Sequence, residues 1–456
     1  MTSDANQPPA PKMLPHMLQP KLRAVRGFPA QTPNGEQIVG LADARQVTDK
    51  VVYASMAVQY VLPLMDGQHG LDQIIAEVGK GLTRPILEQL VGQLDDAGLL
   101  FGPTFDAIDA KMKADFDSSP NLPPASSAAM AEALVAQGVQ AGEAEPASPE
   151  EANARGATKM REMFDLWIVE AQKNLLTTPT ITGQIRGLVA PHLDYQRGWL
   201  NYAAAWGRLR GTARPDRVVI LGTNHFGFAT GVCGSDKGYQ TPLGVCAADT
   251  GLIAALRKRL GEADSTKLFA NRYDHEREHS IELQIPWIQH VFGADGSNGR
   301  ENPKVFGALI HDPTVNAGES YDGNGLGLEA FIAALRGALQ DVGGSTLVVS
   351  SADLSHVGPA FGDQQPLAGD DAAANEFRGK VFAHDREMLG MYAGGKPDDL
   401  MAAMGWQQNP TRWCSIGNMV AAFKVLEPAQ VEIINYAAAV DPQGHTMVSS
   451  TSAVLA

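Results

Sequence analysis

Residues 187–199 read GLVAPHLDYQRGW: a short apolar run passes through Pro191 into His192, Asp194 and Tyr195. A strand that ends on a histidine has two readings. A lone histidine commonly caps a turn or completes a core through a hydrogen bond, with no chemistry attached. In an open α/β sheet, however, ligands bind just beyond the carboxyl ends of the strands. The choice depends on whether other strands end alike, and two do. RVVILG (217–222) leads into TNHFG with His225, and TLVVSS (346–351) leads into ADLSHVG with Asp353 and His356. Three of eleven histidines thus fall at the same end of successive strands, a placement that favours one shared site over three unrelated caps.

The fold reading follows from the same runs. Apolar stretches at 187–190, 217–221, 304–310, 346–350 and 431–436 interleave with amphipathic helical segments at 249–260, 327–340 and 415–425. That alternation predicts an α/β domain with a mostly parallel central sheet flanked by helices. The final TMVSSTSAVLA (446–456) reads as one more strand, closing the sheet at an edge. At 456 residues the chain is longer than one ordinary domain. Residues 1–35 begin Pro-rich and polar and read as a disordered tail. Residues 36–115 read as a small domain of short helices joined by tight turns, and 116–160 as a linker. That stretch is rich in Ala, Pro, Ser and Glu, nearly free of aromatics, and helical only around 127–137. Residues 161–456 form the α/β domain.

Composition narrows the function classes. A net charge of −15 disfavours a phosphate-binding surface, so nucleic acid is a poor partner. Cys233, Cys246 and Cys414 are too few and too scattered for a disulfide framework, which fits a reducing compartment. No apolar run reaches the roughly 20 residues of a membrane span, and the N-terminus lacks a secretory apolar core. The chain therefore reads as cytoplasmic, with no membrane partner.

Two further stretches carry chemistry. YDHEREHSIELQIPW (273–287) holds His275, Glu278, His279 and Glu282; on a helix starting near Ser280, His279 and Glu282 share a face. A capped helix start is the equal alternative. His275, Glu276 and His279 satisfy the HExxH spacing literally, but in a charged, loop-like run before the helix rather than inside one, which disfavours a zinc-protease motif. In NPTRWCSIGNMVAAF, Cys414 stands at the start of an apolar helix, where the macrodipole favours thiolate. Cys246, between Val245 and Ala247, reads as a small buried apolar residue. His192, His225 and Cys414 make a plausible three-ligand metal site for Fe(II), Cu or Zn. His356 is left as an acid/base that Asp353 orients. Asp194 reads as ligand support or as a turn residue.

From about 185 to the C-terminus the chain resembles the Memo family, component B of the AMMECR1, Memo and radical SAM gene sets. The resemblance is carried by APHLDY, LGTNHFG, YQTPLG, EHSIELQIP, SSADLSH and Cys414, in that order. Memo proteins are similar in fold to class III extradiol dioxygenases, which implies a metal pocket at the carboxyl edge of the sheet. It also implies His192, His225 and Cys414 as metal ligands, with Asp353 and His356 in the pocket as catalytic residues. Asp194, Tyr195, His279 and Glu282 become the substrate-binding candidates. Two departures stand out: RWCSIGN lacks the usual Cys-Gly-Arg continuation, and Phe226 occupies a position where some members carry a second His. Separately, LPLMDGQHGLDQIIAEVG and ILEQLVGQLDDAGLL resemble small PqqD-like, winged-helix-like domains that bind peptides or dock to radical enzymes.

The first functional expectation is a metal-dependent dioxygenase-like enzyme, with Fe(II) as the foremost cofactor and a phenolic or catecholic small molecule as substrate. The second is a non-catalytic metal- or peptide-binding component that serves radical SAM and AMMECR1-like partners. A zinc-dependent hydrolase is the third.

Overall fold

The computed structural model describes residues 12–79, 81–175, 178–181, 183–293, 301–365 and 367–456. The chain divides into two units, Met1–Ser119 and Pro120–Ala456.

In the first unit a short helix, Pro15–Leu18 (α1), precedes three strands, Val25–Gln31 (β1), Gln37–Asp43 (β2) and Val51–Ser55 (β3). They pair antiparallel in the order β1-β2-β3. Helices Leu71–Val78 (α2), Arg84–Asp96 (α3) and Pro103–Ser118 (α4) follow. Leu71, Ile74, Leu87, Val91 and Leu94 recur at helical spacing and pack on Leu41 and Val52 of the sheet. Two expectations are corrected. Residues 1–11 lie outside the described residues, but 12–35 are not a tail: Met17 is buried in the core, and β1 is paired with β2 along its whole length. VRGFPAQ contains Gly and Pro and no apolar run, so strand pairing rather than propensity defines it. Nor is 36–103 helical throughout, since the β-branched and aromatic Val51, Val52 and Tyr53 form a strand against β2.

The second unit opens with Asn121–Leu122 (β4) and two helices, Ser126–Gln140 (α5) and Pro149–Ala171 (α6), where a linker was expected. Composition misleads here because small residues let the helices approach closely. Gly156 of α6 sits against Ala131 of α5, where a β-carbon would collide. Gly156, Met160, Phe164 and Ile168 then form a buried stripe with a spacing of four. Ser148 caps α6 by accepting from Glu151 N, with Pro149 at its first position.

The remaining elements run in chain order as Gly187–Ala190 (β5), Tyr195–Gly207 (α7), Arg217–Thr223 (β6), Cys233–Gly234 (β7), Gly238–Thr241 (β8), Gly244–Cys246 (β9) and Thr250–Phe269 (α8). Then come His279–Glu282 (α9), Ile285–Phe292 (α10), Lys304–Ile310 (β10), Leu328–Val342 (α11), Thr346–Ser351 (β11) and Asp353–Val357 (β12). Ala372–Ala393 (α12), Pro397–Trp406 (α13), Ile416–Leu426 (α14), Val431–Val440 (β13) and Met447–Leu455 (β14) complete the chain.

The fold is α/β, as expected, but its large sheet is mixed rather than mostly parallel. β5, β11, β6 and β10 form a parallel centre. β7 pairs antiparallel on one side; β14, flanked by β12 and β13, pairs antiparallel on the other. The last strand therefore does not close an edge. β14 is buried along all its residues between β13 on one flank and β5 and β12 on the other, because the turn after β13 returns it antiparallel into the sheet. Alternate residues of the central strands, Val219 and Leu221 of β6 among them, pack with α8, α11 and α14 in one cluster. Among the described residues no helix is long and apolar enough to cross a membrane.

Candidate metal centre

Two segments that leave the carboxyl edge of the parallel centre meet a third that connects two helices. His192 follows β5, His225 follows β6, and Cys414 precedes α14; one donor atom of each lies within 4.8 Å of the other two. His192 is almost fully buried, at 1% exposure. Its Nδ1–H donates to Ser351 O at 3.0 Å and its backbone N–H to Asp353 Oδ1 at 2.9 Å. That pins the ring and turns Nε2 toward Cys414 Sγ, 3.3 Å away. His225 is held the same way: its Nδ1–H donates to Glu278 Oε1 at 3.0 Å, and its backbone N–H to Glu278 Oε2 at 2.8 Å. In both rings Nδ1 is spent on an acceptor and Nε2 is left for a ligand, the tautomer a metal site requires. Two donors on one tetrahedral ion at ordinary Zn–N and Zn–S bond lengths lie about 3.5 Å apart, close to the Nε2–Sγ separation found. The donor set therefore fits a borderline-soft divalent ion.

The surroundings are built to hold these groups. The TNHFG loop is fastened by Asp274, whose carboxylate accepts from Phe228 N, Ala229 N and Asn224 Nδ2 at 2.8–2.9 Å. Gly227 lies against that carboxylate, with no room for a side chain. Gln284 Nε2 donates to Pro191 O and Ser351 Oγ. Asn418 Nδ2 of α14 donates to Ser351 O and Thr223 Oγ1, and Thr223 Oγ1 donates to Cys414 O. All three metal-facing segments share one buried polar network.

Its charges are coupled. Burial opposes ionisation of the Cys414 thiol, but the nearby His192, His356 and His225 outweigh it and hold the thiol well below its ordinary range. Burial likewise opposes a charged His225, and Glu278 and Cys414 reverse that, raising it well above the usual histidine value. His192 is raised against its burial by Asp353 and Cys414. Glu278, despite burial, is held down at about 2, chiefly by His225 and then His279. His279 is pushed down to about 4 by burial and by its neighbours His192 and His225, against the pull of Glu278. Its ring stacks on His225 at 4.9 Å and meets His192 edge-on at 5.6 Å.

Of the expected residues, His192, His225, Cys414, Asp353 and His279 come together. Asp353 departs in its role: its carboxylate contacts His192 rather than His356, with Oδ2 3.6 Å from His192 Nε2. The His356 Nδ1–H donates to Leu354 O and Arg412 O, and the ring is not among the three donors. The other three substrate candidates are spent on structure. Asp194 is an exposed N-cap of α7, accepting from Arg197 N and paired with Arg197 Nε at 2.5 Å. Tyr195 is buried, donates to Leu283 O and packs on Phe164 and Tyr202. Glu282 turns away to accept from Ala125 N, Ser126 N, Ser127 N and Ser127 Oγ. His275 is committed too, donating from Nε2 to Cys233 O and accepting Tyr239 OH at Nδ1, which leaves no zinc-protease arrangement.

Glu278, named in the sequence but given no role there, is the residue that holds His225. It stands at the N-cap of α9, accepting from Ser280 N, and a Glu-His-Ser run ahead of a short helix is the signal that points to it. His225, Glu278 and His279 form a second close donor group, but it shares His225 with the first, and Glu278 already accepts from His225 Nδ1. This group supports the first site and is not a separate ion cage.

A family model described as Memo-like protein matches residues 155–454. The chain belongs to the Memo family. A MEMO1 family protein of Methanothermobacter thermautotrophicus is 26% identical over 284 residues, covering 61% of this chain and 87% of that protein. One from Pyrococcus furiosus is 30% identical over 202 residues, 43% of this chain and 63% of the relative. One from Pyrobaculum aerophilum is 29% identical over 198 residues, so the match spans 42% of this chain and 62% of the relative's length. Both imidazoles and the cysteine of the candidate centre lie within the Memo match, as do Asp353 and His356.

Proposed function

We propose that the Memo domain is a metal-dependent, dioxygenase-like enzyme that holds Fe(II) and acts on a phenolic or catecholic small molecule. The observation that supports it is the convergence of two Nδ1-tied imidazoles and a half-buried thiol, a three-ligand set with open positions. His192 Nε2, His225 Nε2 and Cys414 Sγ hold the ion, which when bound supplies Lewis acidity and redox chemistry toward dioxygen. Asp353 orients His192 and Glu278 orients His225. His356, with Nδ1–H fixed on backbone carbonyls, takes the phenolic proton at Nε2.

Metal analysis of anaerobically purified protein tests this reading, with near-stoichiometric iron expected in the wild type and background iron in the His192→Ala, His225→Ala double variant. Unchanged metal in that variant removes the ligand assignment. Bound iron without oxygen uptake on any catechol removes the dioxygenase step, and oxygen-independent turnover supported by zinc puts hydrolysis in its place.

A second reading concerns the first unit and is favoured by one observation. β3 pairs on one side only among the described residues, and beside it lies a groove of about 360 Å³ lined by Tyr53, Val58, Val61, Leu82, Ile86 and Leu90. An exposed strand edge next to an apolar groove accepts an extended peptide as an added strand. In this reading the PqqD-like unit presents a peptide, or a segment of a radical SAM or AMMECR1-like partner. Ile86 is 56% exposed in the groove; Ile86→Asp is expected to abolish capture of such a partner with metal content unchanged, and unimpaired capture ends the reading.

A further inference from the structure

The Cys414 segment is strained and has an anchor outside the donor set. Between α13 and Cys414 three non-glycine residues are left-handed: Gln408 (φ 57°), Asn409 (φ 46°) and Arg412 (φ 59°). Such backbone persists only where its surroundings over-determine it. Asn409 clasps Trp413 on both backbone groups, accepting from Trp413 N at 2.8 Å and donating to Trp413 O at 2.9 Å. Arg412 donates to the Asp363 carboxylate and to His356 O. The Trp413 side chain, 1% exposed, has a different partner: its indole N–H donates to Asp385 Oδ1 at 2.7 Å and is shared with Ser355 Oγ at 3.1 Å.

Asp385 lies in α12 and is fully buried. A buried carboxylate is a poor way to stabilise a core, since an apolar side chain of similar size does as well or better. Here it accepts four hydrogen bonds: from Trp413 Nε1, Ser355 Oγ (2.5 Å), Tyr436 OH (2.6 Å) and Ser449 Oγ (2.6 Å). Two of these donors flank the metal centre directly. Trp413 immediately precedes Cys414, and Ser355 lies in β12 between Asp353 and His356; the other two tie β13 and β14 to the same point.

We propose that Asp385 is a positioning residue for Cys414: by fixing the Trp413 indole and Ser355 together, it sets the register between the sulfur and the strand that carries Asp353 and His356. The inference rests on the reading of Cys414 as a metal ligand. With Sγ 3.3 Å from His192 Nε2, a displacement of about an ångström in the Trp413–Cys414 segment takes the sulfur out of a shared coordination sphere.

The test uses the full chain loaded with Co(II) alone, reading affinity and the thiolate-to-cobalt charge-transfer band, with thermal unfolding alongside. Asp385→Leu and Trp413→Phe are expected to lose about 10- to 100-fold in Co(II) affinity, the scale of outer-sphere changes at metal sites, and to weaken or shift the band. Asp385→Asn keeps an oxygen that accepts from the indole and is expected to restore the band, a rescue that a merely structural role does not predict. If Asp385→Leu fails to fold, Trp413→Phe decides. A wild-type band that Trp413→Phe and the folded Asp385 variants leave unchanged overturns the proposal and spares the ligand reading. A wild type whose cobalt spectrum has no band sensitive to Cys414→Ser overturns the ligand reading, and the proposal with it.

Discussion

Glu278 and Glu282 are the same residue, four positions apart on one turn, and equally buried at 5% exposure. One carboxylate faces two imidazoles, the other the start of a helix. Glu278 accepts from His225 and stands beside His279, so two of its neighbours titrate and one of them carries a free nitrogen into the candidate metal centre. Glu282 accepts three backbone N–H groups and the Ser127 hydroxyl, closing the N-terminus of α5, and its partners do not titrate. Burial and spacing are thus silent about function at this turn; what decides is the chemistry of the groups each carboxylate meets.

The largest expected effect falls on the carboxylate outside the site. Glu282→Ala orphans the buried N–H and hydroxyl of Ser127 together with the more accessible N–H groups of Ala125 and Ser126, and about 2–4 kcal/mol of unfolding stability is expected to go with them. Urea unfolding of the metal-free protein measures the loss. Metal affinity of the folded fraction is expected to stay within about threefold. A stability loss under about 1 kcal/mol breaks the structural half of the comparison.

Glu278→Gln is the mirror image. The amide still accepts from His225 but no longer carries the charge that makes that imidazole a strong ligand, so metal affinity is expected to fall about 10- to 100-fold. Stability should fall by about 1–3 kcal/mol, because both Glu278 oxygens accept N–H groups and the amide keeps only one of those oxygens. Competition titration against a chelator separates the two quantities, and unchanged affinity would leave Glu278 as ordinary as Glu282.

The pH dependence sharpens the same contrast. His225 and His192 are raised above the usual histidine range, His225 by the most, so protons compete with metal for Nε2 and affinity falls as pH drops through those raised values. Glu278, held at about 2, stays ionised across that window and does not blunt the effect. Affinity measured from pH 5 to 8 should therefore rise with pH in the wild type. In Glu278→Gln the rise should be centred lower, because the charge that raises His225 is gone; in Glu282→Gln the wild-type midpoint should be retained.

Much of this was legible in the sequence because strand ends are. An apolar run followed by a histidine locates both the strand and its carboxyl edge, which is why His192 and His225 could be paired from the sequence. Cys414 needed only a helix start. The misses share another physical cause: direction. Helical spacing put His279 and Glu282 on one face, but α9 spans four residues, and Glu282 points toward a helix 155 residues earlier in the chain that composition had cast as linker. Nor does a sequence reveal that Asp353 faces His192, since the register shift between Asp353 and His356 in the pairing with β14 breaks the simple alternation of β12. The fold class survived these errors because it rests on alternation over many elements, whereas the antiparallel placement of β14 rests on a single turn.

Asp194 tests the smallest difference. The sequence offered it as ligand support, a substrate contact or a turn residue; the structure gives it to α7 as a cap, half exposed and joined to Arg197 three residues on. A cap of this kind contributes about 1 kcal/mol, and its exposed ion pair adds little beyond that. Asp194→Ala is therefore expected to lower stability by about that amount and leave metal affinity, and any oxygen uptake the wild type shows, unchanged. Asp194→Ser, which restores a capping oxygen without the charge, is expected to recover most of the loss. An Asp194→Ala variant that folds normally but binds metal more than about threefold worse would move the residue into the group with Glu278, and the boundary drawn between capping and ligand-holding carboxylates would shift by one turn of chain.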